Sequence, residues 1–131
     1  GRGAVVMKST NYRDTLITAS PDTPVHKGIV PGKPGTVAAV QHALLARPYA
    51  MTSDDLIFAA YRERGGDKSR EDFFARPQAC LRASPLVKQF GWGVHHDAEG
   101  RIALLGMESA EYRRLLEDPS VAKAPGMRRA R

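Results

Sequence analysis

The segment Ser20–Thr36 constrains the fold of this chain more than any other stretch. It contains four prolines and three glycines. Proline removes a backbone donor and glycine disfavours regular elements, so neither a helix nor a strand is expected to continue through it. The segment therefore predicts a long loop, and loops of this length in compact domains are usually functional or mobile. A short β-branched run, Asp14–Ala19, precedes it and predicts a strand.

Capping residues and helix breakers divide the rest of the chain into short helices. Each predicted helix begins at a Ser or Thr whose side chain can accept from a free backbone N–H, and each ends near a Pro or Gly. Apolar residues recur at helical spacing between these signals. The predicted helices are Val37–Arg47, Thr52–Arg64, Ser69–Phe74, a short one from Ser84 towards Gly91, and Ala110–Glu117.

Two runs in the last third of the chain predict a β-hairpin. Trp92–His96 and Arg101–Met107 are compatible with strands, and a glycine-containing turn separates them. One early strand, several helices and a late hairpin together predict the α+β class. We expect a small, mostly antiparallel sheet that includes this C-terminal hairpin, with about four helices packed on one face.

The length of the chain predicts a single domain. A chain of 131 residues supports one hydrophobic core. Met7 is interpreted as the natural start, so residues 1–6 are interpreted as an expression remnant or an upstream extension. Residues 7–121 are predicted to form the domain, and residues 122–131 are predicted to form a basic, flexible tail.

The composition predicts a cytoplasmic protein that does not enter a membrane. No apolar run approaches the roughly 18 residues that span a bilayer, and no charged and apolar leader is visible. Cys80 is the single cysteine, so no disulfide can form within the chain.

The basic charge lies at the ends of the chain. The formal net charge is +6. The two ends of the chain contribute +7, from Arg2, Lys8 and Arg13 and from the four cations after Val121. Residues 14–120 are close to neutral. Basic ends predict weak, salt-sensitive contacts with polyanions. The near-neutral body argues against nucleic-acid binding as the main function.

The segment Cys80–His96 is the strongest candidate for a functional site. It contains the only cysteine, the only tryptophan, two cations and two histidines. No acidic residue occurs between Phe73 and His96, in a chain that has 14 of them. Reactive side chains and side chains compatible with an anion are therefore concentrated in one place.

A small anionic or polar ligand is the leading hypothesis for this segment. If Ser84 caps a short helix, the free amides there and the neighbouring Arg82 would favour an anion, and Lys88 follows one turn later. Trp92, which lies between two glycines, and His95 could form the wall of such a pocket. The alternative is structural, with Arg82 paired to an acid and Trp92 in the core.

An enzyme is the rival hypothesis, with Cys80 or His95 as the reactive group. A nucleophilic cysteine needs a thiolate and a nearby base, and one imidazole can transfer a proton. A lone cysteine between apolar residues is more often a buried packing residue.

No metal or other cofactor is predicted. His95 and His96 would point to opposite faces of a strand, so they cannot chelate one ion together, and no second cysteine supplies a ligand. The run Gly28–Pro34 departs from a phosphate-binding loop in its glycine spacing and in Pro34 itself, so nucleotide hydrolysis by that route is rejected. The start of the helix that Thr36 caps remains a weaker candidate for an anion.

Several short motifs carry a resemblance to a known family. They are Thr10–Tyr12, Thr52–Asp55, Cys80–Leu86, Gly91–His95 and Glu108–Tyr112. With these motifs the chain resembles a family of small bacterial proteins classified as a domain of unknown function, over about Asn11 to Arg129. The resemblance implies a one-domain intracellular bacterial protein. It implies no activity, cofactor or catalytic residue.

Three functional hypotheses remain. The first is a module that binds a small ligand, or a partner's acidic segment, near Arg82, Ser84, Trp92 and His95. The second is an enzyme that uses Cys80 or His95. The third is a structural or regulatory interaction protein that dimerises through an exposed sheet edge.

Overall fold

A four-stranded sheet is the centre of the computed structural model, which describes residues 8–129. The strands are β1 (Thr15–Thr18), β2 (Trp92–His96), β3 (Ile102–Gly106) and β4 (Ala122–Pro125). They lie in the order β3-β2-β1-β4, and only the β1–β4 pair is parallel. The interpretation of residues 1–6 as a remnant or extension falls outside the described residues.

Side-chain caps begin each of the helices. They are α1 (Val37–Leu44), α2 (Ser53–Glu63), α3 (Arg70–Phe74), α4 (Pro85–Lys88) and α5 (Ala110–Glu117). The capping hydroxyls belong to Thr36, Thr52, Ser69, Ser84 and Ser109, and each accepts a hydrogen bond from a backbone N–H of the first turn. Because a cap satisfies an N–H that the helix itself leaves unpaired, these starts follow from local sequence. A 3-10 turn, Leu81–Ala83, precedes α4.

Successive side chains along each strand point to opposite faces of the sheet, so a separate hydrophobic core forms on each face. Ile17 of β1 packs in a cluster with side chains of α2, α4 and the segment after α1. Leu16, one residue earlier, points to the opposite face and packs with Tyr112 and Leu115 of α5. The predicted class is confirmed: the domain is α+β, with a mostly antiparallel sheet that contains the β2–β3 hairpin.

The strand β4 lies within the segment predicted to be a tail. Ala122 N donates to Asp14 O and Gly126 N donates to Thr18 O, which extends the parallel pairing to β1 at both ends. The sequence Ala-Lys-Ala-Pro has no strand pattern of its own, so pairing with β1 defines this strand. The domain limits and the flexibility of the tail stay predictions.

The long loop is fixed to the sheet at several points. Ser20 N donates to Val87 O, and Ile29 N donates to Phe90 O. Gly91 has a φ of 77°, and a Cβ added there would lie 2.2 Å from Lys27 O. Glycine is therefore required where the loop crosses the start of β2.

The segment before β1 clamps the start of α2. Thr10 donates to Oδ1 of Asp54 from both its backbone N and its hydroxyl, at 2.7 Å each. Ser9 Oγ donates to the other carboxylate oxygen at 2.7 Å. Asp54 is thus held by the N-terminal segment, and the motifs Thr10–Tyr12 and Thr52–Asp55 contact each other. Across the described residues, no helix has the length and apolar character needed to cross a bilayer.

Candidate functional site

The residues predicted to form one site lie in three places. On β2, Val94 and His96 face the helices that pack with Ile17, and so does Trp92. His95 pairs with Leu16 and therefore faces α5. Ser84 lies at the cap of α4. The structure therefore places His95 apart from Ser84 and Trp92, on the other side of the sheet.

Arg82 fastens the C-terminal strand. Its Nε donates to Pro125 O at 2.6 Å, and its own backbone O accepts from Met127 N at 2.8 Å. The charge of the guanidinium also acts to lower the pKa of Tyr12, but the Cys80 hydrogen bond and burial outweigh it. Among residues 8–129, no carboxylate forms an ion pair with Arg82, and the contact of its side chain with β4 is to a backbone carbonyl. Lys88 ends α4 half-buried and lies outside the cleft described below.

Trp92 positions the loop. Its Nε1 donates to Ile29 O at 2.8 Å, and its ring lies 5.4 Å from the ring of His42 on α1. A Cβ on Gly28 would lie 3.0 Å from the indole. The tryptophan therefore forms the support beneath residues 28–31.

His95 forms a pair with Tyr49. The Tyr49 hydroxyl lies 2.7 Å from Nδ1 of His95, and the two rings meet edge to face. Burial lowers the pKa of His95, while Asp97 and Glu111 act in the opposite direction. Burial also raises the pKa of Tyr49, so near neutral pH the pair is a neutral hydrogen bond.

His96 faces away from His95, as expected for a strand, but its complete burial was not predicted from the sequence. Its side chain is fully buried, its Nδ1 lies 3.3 Å from Val94 O, and its Nε2 has no hydrogen-bond partner within the described residues. Burial lowers its pKa from 6.5 to about 4. The signal for its burial was its position two residues after apolar Val94 on a strand.

Cys80 is half-buried and contacts Tyr12. Its Sγ lies 3.5 Å from the Tyr12 hydroxyl. This hydrogen bond, together with burial, raises the pKa of Tyr12. Tyr12 in turn meets the His96 ring edge to face, with centroids 5.3 Å apart. A phenol with a raised pKa is a poor base near neutral pH.

Three adjoining lobes form a cleft around the first half of α1, which we call the α1 cleft. Val37 lines all three. The central lobe, of about 160 Å³, is lined by Val37, Gln41, Ile57, Ala79–Leu81 and Ala83–Pro85. The loop lobe, of about 240 Å³, is lined by Pro31, Lys33, Thr36–Ala38, Pro85, Gln89 and Phe90. The α2 lobe, of about 290 Å³, is lined by Val37, Gln41, Ile57, Ala60, Tyr61, Arg64 and Gln78.

The lining of the α1 cleft contains no acidic residue. Its charged members are Lys33 in the loop lobe and Arg64 in the α2 lobe. Arg64 also reaches the start of α1, where its Nε lies 3.4 Å from Gly35 O. The positive end of the α1 dipole adds to these charges. The lining of the three lobes is therefore positively charged with mainly apolar walls, while Glu63 lines a neighbouring depression that Arg64 also borders.

Gln41 places a hydrogen-bond donor in the central lobe. The Ser84 hydroxyl accepts from Leu86 N at 3.1 Å, so its proton is donated to Oε1 of Gln41, 2.6 Å away. The amide is thereby oriented with its NH2 group away from Ser84. Gln41 is 7% exposed, and this NH2 group has no partner among residues 8–129 yet is not sealed from solvent. It therefore opens into the α1 cleft.

Among residues 8–129, no three His, Cys, Asp or Glu side chains lie together in a group that could hold a metal ion. Comparison of the whole chain with curated proteins and with solved structures gave no match. A family model does match, over residues 7–131. The resemblance noted from the sequence motifs is confirmed, and the protein belongs to the family of unknown function DUF6157.

Proposed function

We propose that this domain is a binding module for a small anionic ligand, and that the α1 cleft is its site. The observation that carries the proposal is the amide NH2 group of Gln41, a donor without a described partner in a cleft without acids. Gln41 is mostly buried, but its NH2 group is open to the cleft, so the oxygen of a ligand that enters the cleft can accept a hydrogen bond from it.

The charges around the cleft favour a negative ligand. Lys33 and Arg64 lie in the lobes on either side of the central lobe, and the start of α1, with the positive end of its dipole, lines the loop lobe at Thr36 and Val37. An acid in the lining would oppose an anion, and the lining has none. The proposal thus keeps the anion preference expected from the sequence and moves its centre from Arg82 to Gln41.

Gln41→Glu is the first test. The carboxylate keeps an oxygen for the Ser84 hydroxyl but replaces the NH2 donor by a second acceptor. A hydrogen bond to a charged group contributes about 1.5–3 kcal/mol, so we expect the affinity for anions to fall by about 10–100-fold. Titration calorimetry or ligand-induced melting shifts with acetate, phosphate and larger carboxylates measure this change.

Two control variants make this test specific. Ala98→Glu adds the same charge in the exposed β2–β3 turn and should leave binding unchanged. Arg82→Gln removes the cation favoured by the sequence; we expect weaker docking of β4 and unchanged anion affinity. Binding that survives Gln41→Glu but is lost in Arg82→Gln would contradict the proposal.

A thiol enzyme is the second candidate, because Cys80 lines the same central lobe as Gln41. The surroundings of the Cys80 sulfur do not favour catalysis. Its hydrogen-bond partner within the described residues is the Tyr12 hydroxyl, and His95 lies on the opposite face of the sheet. The two reactive groups expected from the sequence therefore could not act together.

Iodoacetamide reactivity separates the two candidates. We expect Cys80 to be alkylated no faster than free cysteine near pH 7, because no described base or cation contacts its sulfur. Mass spectrometry of timed reactions measures the rate, and Tyr12→Phe, which removes the hydrogen bond, is the matched variant. Alkylation many times faster than that of free cysteine would favour the enzyme.

The edges of the sheet offer little support for dimerisation by strand pairing. Lys123 is exposed on β4, and Pro125 has no N–H to donate. The start of β3 is covered by the bridge between Thr52 and Arg101. A homodimer, polyanion contact through the basic ends, and a bacterial cytoplasmic location stay proposals that rest on the sequence.

A further inference from the structure

The loop lobe of the α1 cleft has fixed apolar walls. Its apolar lining includes Pro31, Val37, Pro85 and Phe90, with Lys33 as its charged member. The loop that forms one wall is fastened beside Pro31, where Ile29 N donates to Phe90 O at 2.8 Å and Ile29 O accepts from the Trp92 indole. The loop beside the lobe is therefore fixed through both the backbone N–H and the carbonyl of one residue, Ile29.

The size of the loop lobe suits a compact apolar group. Its volume is about 240 Å³, and a cavity of roughly 150 Å³ is enough to hold benzene. An aromatic ring or a branched aliphatic chain would therefore fit. Val37 and Pro85 line both this lobe and the central lobe, so the two lobes adjoin across these two side chains. A ligand that crosses them would occupy both lobes.

The central lobe suits a head group with a single negative charge. Its own lining contains no cation, so a dianion such as phosphate would lose its hydration without a direct counter-charge. A carboxylate needs less compensation. It can accept from the Gln41 amide while Lys33 and Arg64 supply charge from the adjoining lobes.

From these two lobes we infer that the ligand is an amphipathic monocarboxylate, with its apolar body in the loop lobe and its carboxylate at Gln41. This inference rests on the proposed function and specifies the ligand class for the same site. An aryl or branched alkyl carboxylate meets both requirements. Acetate meets only the requirement for a carboxylate, and a neutral aryl alcohol meets only the requirement for an apolar body.

Titration of the whole protein with four probes tests the inference. The probes are phenylacetate, acetate, inorganic phosphate and 2-phenylethanol, followed by calorimetry and by amide chemical shifts in NMR spectra. We expect phenylacetate to bind at least about tenfold more tightly than each of the others, since it alone gains both the buried ring and the charged hydrogen bond. The largest shifts should occur at Val37, Gln41 and Phe90.

Each outcome decides between the inference and the proposed function. If all three anions bind with equal affinity, the anion site stands and the inference of an apolar body is wrong. If 2-phenylethanol binds as tightly as phenylacetate, the inference of a carboxylate head is wrong. If none of the anions binds, the proposed function itself is wrong.

Phe90→Ala separates the two lobes in one variant. It removes a wall of the loop lobe and leaves the Gln41 amide in place. We expect phenylacetate affinity to fall to that of acetate, while acetate affinity stays within about twofold. The comparison of the four probes on the unaltered protein does not depend on the folding of this variant. Retention of the phenylacetate preference in a folded Phe90→Ala protein would overturn the assignment of the loop lobe.

Discussion

Lowering the pH from 7 to 4 should reduce the free energy of unfolding by about 3 kcal/mol through His96 alone, and His96→Leu should remove that loss. The pKa of His96 falls from 6.5 to about 4 on burial. Above about pH 6.5 the imidazole is neutral in both the folded and the unfolded chain, so it contributes no pH dependence. Between pH 6.5 and 4 only the unfolded chain takes up the proton, and stability falls at up to 1.36 kcal/mol per pH unit.

The surroundings of His96 explain why the folded state refuses the proton. The side chain is fully buried, so the imidazolium would lose its hydration, and this cost exceeds the opposing effect of the Val94 and Thr15 backbone groups. Leucine at this position loses the contact with the Val94 carbonyl and the ring contact with Tyr12. It also removes the unpaired nitrogen, so we expect stability at pH 7 to change by less than about 1.5 kcal/mol.

Urea unfolding of both proteins at several pH values from 7 to 4 measures the effect. Carboxylates titrate at the acid end of this range in both proteins, so the difference between the two curves isolates His96. His26→Gln alters an exposed histidine and should follow the unaltered protein. Equal pH dependence in His96→Leu and the unaltered protein would show that His96 is not the source.

Gly91→Ala should destabilise the domain by about 3 kcal/mol or more. A side chain at a φ of 77° costs roughly 1–2 kcal/mol for the left-handed backbone alone. The added Cβ would also lie 2.2 Å from Lys27 O and 2.9 Å from Val25 Cγ2. Backbone must move to relieve the first of these contacts, and the movement would release the loop from the sheet.

Gly35→Ala is the matched control for Gly91→Ala. Gly35 has a φ of 81°, and an added Cβ would meet nothing within 4 Å. Gly35→Ala should therefore lose only the free energy that the left-handed backbone conformation costs, about 1–2 kcal/mol, without the clash. Trp92 follows Gly91 and is the only tryptophan, so its fluorescence reports both unfolding and loop release. Equal losses in the two variants would mean that the approach of the loop contributes nothing.

Local features of the fold were predictable from the sequence, and non-local ones were not. The caps at Thr36, Thr52 and Ser84 act on N–H groups two or three residues away, so the sequence around them contains the whole signal. The hairpin is local in the same sense. The strand β4 depends on β1, which lies far away in the chain, and its own residues favour no strand.

The candidate site was predictable only in part for the same reason. The sequence predicts that Ser84 caps a helix at an anion site, and Ser84 does line the α1 cleft. Its partner Gln41 lies in a different helix, and no pattern in the sequence links the two residues. The charge of Arg82 predicts that it binds an anion, but its side chain binds a backbone carbonyl of β4. The position of β4 could not be known from the sequence.

The parallel pairing of β1 with β4 has a consequence for how the chain folds. The first strand is central in the sheet, and its two neighbours come from the last third of the sequence, with Thr15 opposite both His96 and Ala122. Contacts between such distant residues slow folding because a long loop must close before they form. During synthesis on a ribosome, β1 would emerge before its partners, and both of its edges would stay unpaired until β2 and then β4 had been synthesised. A chain shortened at residue 121 would keep one of those edges open permanently, and we expect it to aggregate.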